Sequence, residues 1–264
     1  MVVSRVYKLL ISDFENTLID IEDAIPLSTM LALDKVRNSG VSYCVITNKS
    51  FKSVLDYNKD FPFMDYIIAS NGAYVYDVNN GKALIDKNIP ISIVKKIKKV
   101  FDDYNLCFYT LDWCNYTKEK VREDNVRKIG DFKVFSSFHK NSIYKIEIYC
   151  SSKKEQTTIL NELKELELDL NYSTHNNDKG YYIEIVMDGC SRLDAINTIC
   201  KMEKIELDDV IMIGYNDDNV SVFKKIGLSY AVDNSSSKLK KSACEVTVSN
   251  YDKAVETVIE SCFK

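Results

Sequence analysis

Three short apolar runs, at residues 7–13, 42–47 and 66–70, are separated by a helical pattern over 28–38, closed by Gly40, and by a second beginning near Ser50. Strands joined by helix-length crossovers must lie parallel, because a tight turn can join only antiparallel neighbours. The chain therefore opens as a parallel α/β sheet. Asn79-Asn80-Gly81 then predicts a hairpin between Tyr74-Val75-Tyr76 and Ala83-Leu84-Ile85, since Asn and Gly accept the positive φ of such turns. From there the pattern changes: a helix begins near Ile91, strands are expected at 106–111, 132–136, 143–149, 168–172 and 181–186, and a helix at 153–166. The first pattern returns with a helix from Ser191 to about residue 202, a strand at 210–213 and a last helix near 251–262. The expected fold class is α/β: a doubly wound parallel sheet, from residues 1–83 and 187–264, with an inserted α+β cap domain at 84–186.

Composition narrows the partners. A chain of 264 residues with a 45% hydrophobic share can bury a large core. Its 35 basic and 39 acidic residues give a net charge of −4 with no sustained basic run, so a nucleic-acid partner is not expected. No stretch of eighteen apolar residues occurs and the N-terminus runs into a short strand, so no membrane span is expected and a cytoplasmic location is. The eight cysteines show no C-x-x-C pairing and are expected to be reduced and mostly buried. Asn48-Lys49-Ser50 and Asn115-Tyr116-Thr117 match the glycosylation triplet but carry no weight without a secretory signal. The absence of G-x-G-x-x-G after the first strand, and of a P-loop lysine motif, excludes the usual dinucleotide and nucleoside-triphosphate binders.

Chemistry is concentrated at the end of the first apolar run, where Asp13 is followed two residues later by Glu15. Ligands of open α/β sheets bind at the carboxyl ends of strands, and paired carboxylates suit nucleophilic attack followed by protonation of a leaving oxygen. Alone, Asp-x-Glu after an apolar run is a weak signal. It is joined, in order, by Thr17-Leu18, Thr47 ending a strand, Asn71-Gly72 within Ile67-Ile68-Ala69-Ser70-Asn71-Gly72-Ala73, Tyr182-Ile183-Glu184-Ile185, Ser191-Arg192 opening a helix, and Ile211-Met212-Ile213-Gly214 entering an acidic loop. Over nearly its whole length the chain resembles the haloacid dehalogenase (HAD) superfamily, and within it the Cof-type sugar-phosphate phosphatases.

That resemblance implies hydrolysis of a small phosphorylated metabolite through an aspartyl-phosphate on Asp13, with Glu15 as acid and then base. Thr47 would donate to the transferred phosphoryl group and Arg192 would neutralise nucleophile and phosphate. Asn48, Lys49, Asn71 and Gly72 would contact substrate. Mg²⁺ would be held by Asp13 and by the backbone carbonyl of Glu15, which does not depend on the side chain there, with Asp217 and Asp218 as the acidic-loop candidates.

The chain also departs from the family pattern. Glu15 stands where Asp is usual, and the added methylene moves a carboxyl by roughly 1 Å. Asn48-Lys49 replaces Gly-Arg, and Arg192 replaces a lysine, exchanging a point charge for a two-pronged donor. Tyr215 and Asn219 occupy the two positions at which the family carries metal-supporting carboxylates, which weakens the expectation of Mg²⁺. Two functions follow: a phosphatase of weak or altered activity, or a non-catalytic protein that binds a phosphorylated ligand or a protein partner with its metal site lost. Within the insert, Tyr109, Trp113 and Tyr116 could overhang the site or pack the insert's core. Ser235-Ser236-Ser237-Lys238 is expected to cap a short helix.

Overall fold

The computed structural model describes residues 6–19, 22, 24–59, 62–119, 126–139, 142–177 and 180–263. Five strands come first: β1 (Leu9–Asp13), β2 (Ser42–Ile46), β3 (Tyr66–Ala69), β4 (Tyr74–Asp77) and β5 (Lys82–Asp86). Six follow: β6 (Asn105–Tyr109), β7 (Cys114–Tyr116), β8 (Val126–Lys128), β9 (Lys145–Cys150), β10 (Leu170–Asn177) and β11 (Gly180–Met187). The last three are β12 (Val210–Gly214), β13 (Leu228–Ala231) and β14 (Glu245–Val246).

They form two sheets, ordered β14-β13-β12-β1-β2-β3-β4-β5 and β10-β11-β9-β6-β7-β8. In the first sheet the pairs from β14 to β3 are parallel and the β3-β4-β5 edge is antiparallel, as expected for a doubly wound sheet ending in a hairpin. From β1 the chain builds outward through β2 and β3 on one side, then returns through β12 to the other. The gap between β1 and β12 is therefore the topological switch point, where α/β sheets place their ligands.

β1 is buried along its whole length because both faces of the sheet are covered. Leu10, Tyr43, Val45, Ile67 and Ile211 point into one apolar layer, and Leu9, Ile11, Cys44, Ile68 and Met212 into the other. In the second sheet Phe108, Ile146, Ile148, Ile183 and Ile185 share a core with Val94 and Ile97 of the helix Ile91–Val100 and with Ile159 and Leu163 of the helix Lys153–Glu165. The opposite face of that sheet carries the buried charges Lys145, Glu147 and Glu184 beside a small cluster of Cys107, Tyr109 and Cys114. Among the described residues no helix is long and apolar enough to cross a membrane.

Several expectations shift. Residues 132–136, read as a strand, lie in the helix Phe132–Phe138. Asp131 caps it, accepting from Lys133 N at 2.7 Å and Val134 N at 3.2 Å, and its helical turn lets both Phe132 and Phe135 pack on Phe108. The strand expected at 168–172 runs on to Asn177, because its whole length pairs with β11. Residues 84–86, placed in the insert by pattern, pair in β5 with β4. The short strands β7, β8, β13 and β14, at or next to the sheet edges, have too few residues to show a period. Ser236 caps the helix Ser237–Ser242 through Leu239 N at 3.1 Å. All eight cysteines are free; five are buried, and Cys244 is exposed.

Candidate active site

Asp13 ends β1 at the switch point, with Ile46 of β2 beside it, and is only 3% exposed. The chain then turns sharply through Phe14–Leu18, where Asn16 takes a left-handed φ of 55°, a conformation Asn tolerates better than other side chains. That turn carries Glu15 over the end of β2. Glu15 Oε1 accepts from Thr47 Oγ1 at 2.5 Å and from Lys49 N at 3.3 Å, and Thr47 Oγ1 itself accepts from Lys49 N at 2.9 Å. A hydroxyl and a backbone N–H thus point at one carboxylate, an arrangement that would equally suit another anion.

Arg192 arrives from the opposite side. It is the first residue of the helix Arg192–Glu203, whose N-cap Ser191 accepts from Asp194 N at 3.1 Å. Its position is set by Gly72, which has φ +92°; a Cβ there would stand 2.3 Å from the Ser191 carbonyl oxygen. Gly72, expected to contact substrate, lets the helix start approach the loop after β3.

The Arg192 guanidinium is 3% exposed and uses every arm. Nη1 donates to Asp13 Oδ1 at 2.9 Å and to Asn219 Oδ1, Nη2 to Asn48 Oδ1 at 3.0 Å, and Nε to Asn71 Oδ1 at 3.3 Å. Burial pulls its pKa down, but Asp13, Asp218, Glu184 and Glu15 outweigh that and hold it above its ordinary value. Asn48 and Asn71, expected to touch substrate, both accept from the arginine and orient it. Lys49 contributes its backbone N–H to the Glu15 cradle, while its Nζ lies 5.8 Å from the Phe14 ring centre.

The second oxygen of Asp13 is saturated differently. Oδ2 accepts from Tyr215 N at 2.9 Å, Asn216 N at 3.1 Å and Asn219 Nδ2 at 2.6 Å. Asn219 is fully buried, and Gly214 makes room for it, since a Cβ at 214 would lie 2.4 Å from Asn219 Nδ2. The side chain read from sequence only as a lost carboxylate thus bridges Asp13 and Arg192.

These partners do not fit a Mg²⁺ shell. Asp13 Oδ2 already takes three N–H donors, Oδ1 faces the Arg192 guanidinium at 2.9 Å, whose charge repels a second cation, and Mg²⁺ requires several oxygen ligands in octahedral order. The Glu15 carboxyl turns to Thr47, so only the backbone carbonyl of Glu15 is left for the metal role expected of that residue. Asp217 accepts from Ser236 Oγ and lies 3.5 Å from Lys238 Nζ, while Asp218 Oδ2 stands 3.7 Å from Arg192 Nη2. Among the described residues no group of three or more His, Cys, Asp or Glu could hold a metal ion.

A further cluster, not anticipated from sequence, faces the site from the second sheet. Lys145 is fully buried; its Nζ donates to Glu147 Oε1 at 2.9 Å and to the Asn48 carbonyl at 3.0 Å, and lies 3.3 Å from Glu184 Oε2. Tyr109 and Tyr149 hydroxyls donate to Glu147 Oε2 at 2.7 Å and 2.9 Å. The alternations Lys145-Ile146-Glu147-Ile148-Tyr149 and Tyr182-Ile183-Glu184-Ile185 are the signal that could have found it, since period two sends every polar residue to one face. Of the three aromatics considered, only Tyr109 joins this cluster. Trp113 is 38% exposed with the Arg127 guanidinium 5.5 Å from its ring, and Tyr116 packs beside Cys107.

The haloacid dehalogenase-like hydrolases match the chain over residues 10–259. The chain is similar to a 5-amino-6-(5-phospho-D-ribitylamino)uracil phosphatase of Bacillus subtilis, with 18% identity over 97% of both chains. Its fold is similar to that of a HAD-superfamily phosphatase from Bacteroides thetaiotaomicron, with a TM-score of 0.81 at 18% identity over 99% of this chain and 97% of that one. A HAD subclass IIB sugar phosphatase superposes with a TM-score of 0.79 at 16% identity, over 96% of this chain and 98% of the other.

Proposed function

Because the chain belongs to the haloacid dehalogenase-like hydrolases, of Cof type, we propose that it is a phosphomonoesterase for small phosphorylated metabolites that works with its own cationic and N–H groups around Asp13. The observation that carries this reading is the buried Arg192 Nη1 to Asp13 Oδ1 contact of 2.9 Å at the switch point, which joins residues 179 positions apart.

Asp13 Oδ1 keeps a lone pair beyond its bond to Arg192, whereas Oδ2 is filled. Oδ1 is therefore the nucleophile. The phosphoryl group takes over the Thr47 hydroxyl and the Lys49 N–H, displacing the Glu15 carboxylate that holds them in the free protein. Glu15 serves as the acid toward the ester oxygen. Oδ1 attacks phosphorus, the bond from phosphorus to the ester oxygen breaks, and the departing oxygen takes the Glu15 proton. Glu15 then accepts a proton from water as that water attacks phosphorus, and cleavage of the bond to Oδ1 frees phosphate and Asp13. Arg192 and the three donors on Oδ2 stabilise negative charge without reorganising. The polar face of the second sheet closes over the ester as a cap.

A second reading, binding without turnover, is favoured by the same saturation. A carboxylate held by four N–H donors is a poorer nucleophile than a free one. Phosphate release from a panel of sugar and polyol phosphates, with Mg²⁺ and with a chelator, separates the two. Release that persists in the chelator and falls at least about 10³-fold in Asp13→Asn supports the enzyme. Folded protein that binds esters but releases no phosphate under either condition leaves the binding-only reading.

A further inference from the structure

Glu147 and Glu184 sit directly opposite each other on β9 and β11, an arrangement of like charges that costs stability in an antiparallel pair. They are 1% and 2% exposed, and share the single ammonium of Lys145. Lys145 and both tyrosine hydroxyls satisfy Glu147, but Glu184 Oε1 has no hydrogen-bond partner among the described residues. A buried carboxylate oxygen left bare is costly, and such an atom in a native fold calls for a missing donor.

The surroundings define that donor. Asn48 ties the cluster to the phosphoryl site, its side chain on Arg192 and its carbonyl on Lys145. Across both, the buried cations Arg192 and Lys145 face Asp13, Asp218, Glu147 and Glu184, with Glu15 nearby on Thr47, so negative charge is in excess before any phosphate arrives. A hydroxyl would satisfy Glu184 Oε1 as a hydrogen bond. Only a cation also offsets the charge.

The geometry points to a substrate class, resting on the phosphate-ester reading above: esters whose alcohol portion carries a protonated amine, with the phosphoryl group at Thr47 and Lys49 and the ammonium on Glu184 beside Glu147. Glu184 is then the specificity-determining residue, and Lys145 holds the two carboxylates in register.

The test uses the full chain and two matched pairs, glucosamine 6-phosphate against glucose 6-phosphate and O-phosphoethanolamine against 2-hydroxyethyl phosphate. Dissociation constants come from calorimetry, so turnover is not required. In at least one pair the amine should bind the wild type about tenfold or more tighter than its hydroxyl twin, the scale of one charge-assisted hydrogen bond. In Glu184→Gln, nearly isosteric, the advantage of the amine over its hydroxyl twin should shrink to within about twofold. Equal affinities in both pairs, no binding of any of the four, or a preference that survives Glu184→Gln overturns the inference. The wild-type comparison stands even if the variant fails to fold. Phosphate release is followed in parallel: an amine preference without turnover overturns the hydrolase reading alone, and turnover without a preference overturns this one alone.

Discussion

Removing the positive partner of Asp13 should reveal how strongly the two ends of the chain are coupled at the switch point. Arg192→Met leaves a carboxylate that is 3% exposed with its three N–H donors but no counter-charge. Breaking a buried pair from one side costs about 3–5 kcal/mol, and the surviving donors on Oδ2 place this case near the lower end. Asp13→Asn leaves the guanidinium with Asn48, Asn71, Asn219 and the more distant Asp218, at 3.7 Å, and turns an amide N–H₂ toward donors; about 2–3 kcal/mol is expected. The double variant removes both charges, so its loss should fall short of the sum of the single losses by about 1.5–3 kcal/mol. Urea unfolding at 25 °C, with the midpoint and slope determined for wild type and all three variants, yields the cycle. Additivity within about 0.5 kcal/mol would mean that the two side chains do not interact, and the site geometry would be wrong.

Gly72→Ala should destabilise by about 2–4 kcal/mol, combining left-handed strain with a Cβ forced to 2.3 Å from the Ser191 oxygen; a urea-derived loss under about 1 kcal/mol would contradict the close approach. Restoring carboxylates in Tyr215→Asp/Asn219→Asp should create a cation site, so millimolar Mg²⁺ raises the melting temperature of the variant and not of the wild type. An equal rise in the wild type would refute the filled lone pairs on Asp13 Oδ2. Burial pushes the thiols of Cys190 and Cys200 up to about 11 and that of Cys44 well above its ordinary value. A raised thiol pKa means less thiolate below it, about one part in a thousand at pH 8 for a pKa near 11, so iodoacetamide at that pH should label exposed Cys244 first. Mass spectrometry finding Cys44 labelled equally fast would count against the buried core.

Local signals carried the fold. Apolar runs at helix-length spacing are enough for a parallel sheet, and Ser191, Ser236 and the Asn79-Asn80-Gly81 turn mark their elements because caps and turns act over three or four residues. The helix Phe132–Phe138 was missed for the reverse reason. Its Asp131 cap is short-range, but its aromatic run reads as a strand until Phe108 packs against it.

What the amino-acid order determined alone is which groups are available: Asp13 at a strand end, a hydroxyl at 47, a guanidinium at 192, and no carboxylate at 215 or 219. What each of them does was decided by the tertiary structure. Gly72 and Gly214 serve close packing, Asn48 and Asn71 aim an arginine, Asn219 fills an oxygen of Asp13, and Lys145 meets Asn48 from 97 residues away. Hydrogen bonds and charges act through space over a few ångströms, and separations such as the 206 positions between Asp13 and Asn219 close only when the sheets assemble.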